Sequence, residues 1–263
     1  MKPTLEFVKD ITLQAGEILQ SFIGHEMGVQ HKGPTDLVTK ADRASEEFLI
    51  NEIRKLFPDH AINAEESGEL EGNHEHQWFI DPLDGTLNYA HGVPIYSVSV
   101  AYANHGKLTL GVVYDPTRDE SFYAERGHGA EMNGQPLHVS NYQDLIDCML
   151  FTGFPNNKWG SPTDNTDNFL RFSQLSQTVR RLGSAALAIA YVAAGRLDGF
   201  WEIEINQWDV AAGGLIAKEA GGVVTNIYGD PDFLHKPVNV VCANPTIHNQ
   251  MLDVLAEVRA DKS

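Results

Sequence analysis

Cysteine is almost missing from this chain. Cys148 and Cys242 are the two cysteines in 263 residues, too few for a disulfide framework or a thiolate zinc site. That usage fits a reducing compartment and gives the expectation of a cytoplasmic protein. Positive charge is scarce as well: 19 lysines and arginines face 36 acidic residues, a net charge of −17 with histidine neutral. No basic run offers a footprint for a phosphate backbone, so direct nucleic-acid binding is not expected. Long apolar runs are also lacking. The segment from Ala185 to Ala194 is too short to span a bilayer, and MKPTLEFVKD has neither the basic head nor the unbroken apolar stretch of a signal peptide. Neither export nor membrane insertion is expected. Several catalytic signatures are missing too: there is no G-x-S-x-G elbow, H-E-x-x-H pair or Walker loop. The 11 histidines are scattered, and none shows metal-ligand spacing with cysteine.

What is present is an ordinary globular composition, 42% hydrophobic and 21% charged, with enough length for a sizeable core. No repeat, low-complexity tract or linker divides the chain, so residues 1–263 read as one domain with two intimate halves. The carboxylate excess is awkward for an enzyme acting on anionic substrates unless cations intervene and invert the local field. The charge balance therefore points to metal.

Leu5, Val8, Ile11, Ala15, Ile18, Leu19 and Phe22 recur at helical spacing, with Gly24 as a stop. A second helical pattern follows Thr39, carries Phe48, Leu49, Ile53 and Leu56, and ends before Pro58. KGPTDLVTKAD, between them, reads as a loop with a short extended stretch. Trp78 to Ile80 reads as a brief buried strand that runs into a tight loop, Asp81-Pro82-Leu83-Asp84-Gly85-Thr86. The segments 96–102, 108–114 and 121–124 predict an antiparallel meander. Ala185 to Ala194 then reads as a buried helix, Leu197 to Trp201 as a strand, Asp209 to Ala220 as a helix, Val238 to Cys242 as a strand and Thr246 to Val258 as a helix. The stretch from Asn156 to Asp167 reads as a polar surface loop. Mixed sheets layered with helices, an α+β architecture, follow from this order.

Asp81, Asp84 and Thr86 crowd two carboxylates and a hydroxyl into one loop. Magnesium takes one or two protein carboxylates and leaves positions for substrate phosphate oxygens, which such a loop can offer. A proline turn capped by aspartate explains the same residues equally well. Glu65 and Glu66 follow a short apolar strand; in an extended segment only one of them can face the side on which Asp81 lies, and a solvated acidic turn is the alternative. Asp209 at a helix start reads as a cap. The Gly213-Gly214 pair, costing about 1 kcal/mol per glycine relative to alanine inside a helix, adds close packing against another element. Gly183-Ser184-Ala185 opens a helix whose free amides suit an anion or hydroxyl or a plain serine cap. Thr39 and Asp42 have capping-box spacing, with Asp42 as acceptor for a water-orienting hydroxyl as the functional alternative.

Together, Glu65-Glu66-Ser67, DPLDGTLNY at 81–89 and WDVAAGGLIAKEAGG at 208–222 resemble the three signatures of the inositol monophosphatase family. The resemblance extends over nearly the whole chain, including KGPTDLVTKAD and GSAALAIAYVAAGRLDGFWE. It implies the α-β-α-β-α layered sandwich of the inositol monophosphatase / fructose-1,6-bisphosphatase superfamily, a homodimer, and a magnesium-dependent, lithium-sensitive phosphatase acting on a small phosphorylated polyol. It further implies that Glu65, Asp81 and the Leu83 carbonyl bind one Mg2+ while Asp81, Asp84 and Asp209 bind a second. A third, weaker ion is associated with Glu65 and waters. Thr86 and Asp42, with Glu65, would orient and deprotonate the attacking water. Leu83, Asp84, Gly85, Thr86, Gly183, Ser184, Ala185, Glu202 and Asp209 would contact substrate. Leu87 stands where the inositol type has a small polar residue, which leaves histidinol phosphate, a nucleotide 3'-phosphate or another sugar phosphate as alternative substrates. Segment 203–207 is expected at the substrate mouth. Some bacterial relatives imply a different class of role, interaction with transcription machinery, compatible with an intact metal set.

Overall fold

The structure is a computed structural model that describes residues 2–24, 28–31, 37–155 and 164–261. Its helices are α1 (Leu5–Ser21), α2 (Lys40–Leu56), α3 (Thr86–Ala90), α4 (Thr166–Leu175), α5 (Ala185–Ala193), α6 (Gln207–Glu219) and α7 (Pro245–Ala260). The strands run β1 (Gln30–His31), β2 (Leu37–Val38), β3 (His60–Ala64), β4 (Gly68–Leu70), β5 (Asn73–Asp84), β6 (Ser97–Asn104), β7 (Lys107–Asp115) and β8 (Glu120–Glu125). They continue with β9 (Ala130–Met132), β10 (Gln135–Pro136), β11 (Met149–Thr152), β12 (Thr178–Arg180), β13 (Gly199–Ile205), β14 (Val223–Thr225) and β15 (Val238–Ala243).

Three apolar cores define the layers. Val8, Ile11, Ala15 and Leu19 of α1 and Leu49 and Ile53 of α2 pack on one face of an eight-stranded sheet, against Trp78, Ile80, Val98 and Val112. The sheet order is β10-β9-β8-β7-β6-β5-β3-β4. Its other face meets α5 and α6, through Phe79, Ala101, Val113 and Phe122 against Ile189, Ala212 and Leu215. Beyond those helices lies a five-stranded sheet, β12-β11-β13-β15-β14, backed by Phe172 of α4 and Ile247, Met251 and Leu255 of α7. The result is the α-β-α-β-α sandwich that the resemblance implies. Both helices of the middle layer are apolar nearly all round, because each is covered by a sheet on both sides. The glycine pair in α6 serves that crowding. A Cβ on Gly213 would lie 2.9 Å from Ile189 Cβ of α5, and one on Gly214 would lie 2.6 Å from the Phe233 ring.

The meander and the first two helices form as expected, and Thr39 closes a capping box with Asp42. Other boundaries move. The strand expected at Trp78–Ile80 covers Asn73–Asp84, so Asp81–Asp84 belongs to a strand and not to a loop. It carries a register shift: Asp81 pairs with Ser99 and Asp84 with Ser97, three residues against two. This is a bulge, and Pro82, which has no N–H to donate, sits inside it. The extra residue reverses the alternation. Leu83 turns into the α1–α2 core, and Asp81 and Asp84 share the opposite face. The helix expected from Asp209 starts at Gln207, with Asn206 as N-cap. The strand expected from Leu197 starts at Gly199. Of the polar stretch 156–167, residues 156–163 lie outside the described residues, and Thr166 already opens α4. Of the loop 32–42, residues 32–36 likewise lie outside them. No helix among the described residues is long and apolar enough to cross a membrane.

Candidate active site

The bulged end of β5, the turn after β3 and the first turn of α6 meet at one place. One carboxylate oxygen each from Asp81, Asp84 and Asp209 lies within 4.8 Å of the others. Asp81 is buried, 1% exposed, and its Oδ1 accepts from the Leu83 amide at 3.0 Å. Asp84 is held more tightly: Oδ2 accepts from Ser184 Oγ at 2.6 Å and from the Ala186 amide at 2.7 Å, and Oδ1 accepts from the Ala185 amide at 3.2 Å. The start of α5 therefore spends its free amides on Asp84, while Ser184 also caps the helix by accepting from the Leu187 amide. Both readings of Gly183-Ser184-Ala185 meet here, with a protein carboxylate as the anion. Asp209 Oδ2 accepts from the Asn206 amide at 2.9 Å, which fixes it from within its own helix.

Such crowding favours the protonated forms. Burial, then the nearby charges of Glu65, Asp84 and Asp209, hold Asp81 well above the ordinary carboxylate range. Burial raises Asp84 to about 6 against its hydrogen bonds, and burial with the charge of Asp84 raises Asp209 to about 7. Three buried acids whose ionised forms repel one another form an oxygen donor set suited to a hard divalent cation. Glu65 sits in the turn after β3, not in an extended segment, with its amide donating to Ile80 O at 3.1 Å. Its side chain lines the cleft beside Asp84, whereas Glu66 lines a separate hollow with Arg43 and Glu46.

Thr86 opens α3 directly after Gly85, whose φ of +100° favours glycine. A Cβ there would also press on Ile95 O at 3.0 Å and Gly183 O at 3.2 Å. Thr86 Oγ1 lies 3.0 Å from both Asp42 Oδ1 and Leu83 O. With one proton it donates to one of them at a time and keeps lone pairs for an incoming donor. Asp42 is fully buried and reaches the cleft only through Thr86; its Oδ2 accepts from the Thr39 amide at 2.8 Å and from Thr39 Oγ1 at 2.5 Å. Burial raises its pKa, and the Thr39 and Thr86 hydrogen bonds act the other way. The cap and the hydroxyl acceptor are one residue.

The cleft, about 270 Å³, is lined from the large sheet by Glu65, Asp84, Gly85, Thr86 and Leu87. Facing them are Gly153 and Phe154 after β11, Arg181 to Ala185 after β12, and Glu202, Glu204, Ile205, Asn206 and Asp209. Segment 203–207 thus reaches the mouth in part, while Ile203 is buried and Gln207 binds Asn63 Nδ2 through Oε1. The Leu83 side chain is fully buried behind the site, so only its backbone faces this region. Burial, with the charges of Asp209 and Asp84, raises Glu202 to about 8; Arg181 acts in the opposite direction. Arg181 and Gly153 escaped the sequence reading. Arg181 places its guanidinium 4.7 Å from the Phe154 ring centroid and is the one cation lining the cleft among the described residues. Its position just before Gly183-Ser184 is the signal that was available.

A two-sheet sandwich with a divalent-cation donor set at the bulged end of a central strand defines a class, the metal-dependent phosphatases of this layered fold. Residues 1–261 match the inositol monophosphatase family, and the chain belongs to it. It is 42% identical to the Nus factor SuhB of Pseudomonas aeruginosa over 97% of this chain and 96% of that protein. It is 39% identical to the inositol-1-monophosphatase of Mesorhizobium japonicum over 94% of each. Among solved structures it resembles the extragenic suppressor protein suhB of Bartonella henselae, with a TM-score of 0.89 and 39% identity over 95% of this chain and 97% of that one. The family is Mg2+-dependent, and the acidic cluster can hold a metal.

Proposed function

We propose that this chain is a Mg2+-dependent phosphomonoesterase that hydrolyses inositol monophosphate to inositol and phosphate by direct attack of water. The observation that carries the reading is the cluster of Asp81, Asp84 and Asp209, contributed by β5 and α6 and crowded enough to call for cations. Glu65, Asp81 and the Leu83 carbonyl would hold one ion, and Asp81, Asp84 and Asp209 a second; a third, weaker one would sit with Glu65. When bound, the ions supply positive charge that offsets the phosphate and lowers the pKa of water at the site.

The protein's own groups position the reactants. Thr86 Oγ1 accepts from the attacking water and passes its own proton toward Asp42 Oδ1, a carboxylate made more basic by burial. Glu65 stands beside them as a further acceptor. Gly85, lacking a side chain, lets the chain turn tightly into α3 against the Ile95 and Gly183 carbonyls and so places Thr86 in the cleft, where the phosphate would lie. Ser184 and the Ala185 and Ala186 amides hold Asp84 in place, and the Gly183 backbone and Glu202 face the leaving alcohol, with Glu202 accepting from its hydroxyls. Asp209 stands where the cations and the alcohol meet.

A panel of inositol-1-phosphate, histidinol phosphate, a nucleotide 3'-phosphate and a sugar phosphate, ranked by kcat/KM, tests the substrate. Inositol-1-phosphate is expected first; a rank far below another ester would transfer the assignment to that ester. The family resemblance also supports a homodimer, checked by sedimentation, and the two buried free thiols support work in the cytoplasm. A second reading, an added role with transcription machinery, is favoured by the similarity to a protein named a Nus factor. Co-purification from cell extract is the check, and no transcription protein above background would refute it.

A further inference from the structure

A polar network lies behind Glu202, on the side away from the acidic cluster. Asn165, 1% exposed, precedes α4 in a left-handed conformation at φ +69°. Its Nδ2 donates to Thr152 Oγ1 at 2.9 Å and to Gly153 O at 2.7 Å. Its Oδ1 accepts from Trp201 Nε1 at 2.8 Å and from Asn168 Nδ2 at 3.1 Å. Two donors and two acceptors exhaust what an amide side chain can make. Its orientation is fixed by its partners, since an indole N–H only donates and a carbonyl only accepts. Thr152 Oγ1 closes the loop by donating to Trp201 O at 2.6 Å.

The partners are what set this network apart from an ordinary buried clamp. Trp201 immediately precedes Glu202 on β13. Gly153 packs its Cα directly on the Glu202 carboxylate, so closely that a Cβ at Gly153 would collide with it. One side chain therefore holds both the strand that carries Glu202 and the backbone wall that limits where its carboxylate can swing. A misplacement of about 1 Å in such a group can lower a rate about 100-fold.

We infer that Asn165 is a positioning residue for recognition of the alcohol, acting through Gly153 and Trp201 on Glu202. The inference rests on the reading that Glu202 meets the hydroxyls of the substrate. It explains why a non-glycine residue occupies a left-handed position here: asparagine tolerates that backbone and brings the amide that the network needs.

Two variants separate positioning from folding. Asn165→Asp keeps an acceptor for Trp201 and sets an oxygen against the Gly153 carbonyl; Asn165→Gly removes the side chain while suiting the left-handed backbone. The readout is the ratio of kcat/KM for inositol-1-phosphate to that for p-nitrophenyl phosphate, which has no ring hydroxyls, with magnesium present. Both variants are expected to lower this ratio about tenfold, mainly through a higher KM for inositol-1-phosphate, and to lower it no further in a Glu202→Gln background. Equal loss on both substrates, or a further fall on top of Glu202→Gln, would overturn the inference, because a purely structural role acts on every substrate alike. If Glu202→Gln alone leaves the ratio at the wild-type value, the assigned role of Glu202 fails, and the inference with it. Should Asn165→Asp not fold, Asn165→Gly carries the test.

Discussion

The two walls of the cleft are built on opposite plans. Glu65, Asp81, Asp84 and Thr86 come from the ends of two neighbouring interior strands of the large sheet, β3 and β5, and the tight connections after them, and a single bulge aims both aspartates at the same side. The facing wall is gathered from segments far apart in the chain: Gly153, Arg181, Gly183 and Glu202, tied to the first wall by Ser184 on Asp84 and by Asn88 Nδ2, which donates to Leu182 O at 2.8 Å. The difference follows the chemistry. A phosphate group is the same in every ester, so the groups that handle it can be a compact local unit. The alcohol varies, and on the proposed reading the groups that would meet it come from loops after β11 and β12 and from β13.

Breaking the compact wall should do the most damage. Asp81→Asn is expected to lower turnover about 1,000-fold while circular dichroism remains close to wild type; near-normal turnover would remove Asp81 from the site. Next, Thr86→Ala should lower kcat about 100-fold with little change in KM, because Asp42 reaches the cleft only through that hydroxyl. A kcat near wild type would show that Asp42 serves only as the cap of α2.

Stability should respond to the same wall. In metal-free protein, burial lifts Asp84 to about 6 and, with the charge of Asp84, Asp209 to about 7. An acid whose pKa rises on folding contributes stability that is fully present below the unfolded value, about 3.9, and lost as pH rises through the folded value. Metal-free protein should therefore lose melting temperature between about pH 4 and pH 7 from these groups. Magnesium at about 100 times its Kd should add about 2.7 kcal/mol and flatten that slope near neutrality. Melting curves with and without chelator that coincide at every pH would contradict a preformed site. The smallest effect belongs to the distributed wall: Glu202→Gln should lower kcat/KM for inositol-1-phosphate about tenfold. An acyclic phosphate ester with fewer hydroxyls should lose less.

The same contrast decides what was legible in the sequence. Helical spacing marked α1 and α2, because each buries one stripe, and β-rich runs marked the meander, whose strands are covered on both faces of the large sheet. Asp81, Asp84 and Thr86 stood out as a motif because they crowd into one short segment, whereas Asp209 joins them from α6, far along the chain. The role of the bulge was hidden: Asp81-Pro82-Leu83-Asp84 looked like a turn, and only the pairing with Ser99 and Ser97 reveals a strand that changes face. Asp209 looked like the first helical residue, but Asn206 caps the helix and Asp209 lies in its first turn. Gly153 and Asn165 carried no local signal. Their meaning arises when residues 152, 165 and 201 meet in the small sheet, a contact between segments that periodicity does not connect.

The most direct measurement is phosphate release from inositol-1-phosphate with magnesium, with chelator in its place, and with lithium added to the magnesium reaction. The account predicts release that requires magnesium, stops with chelator and slows with lithium. Release that continues undiminished in chelator would contradict the claim that Asp81, Asp84 and Asp209 act by holding cations.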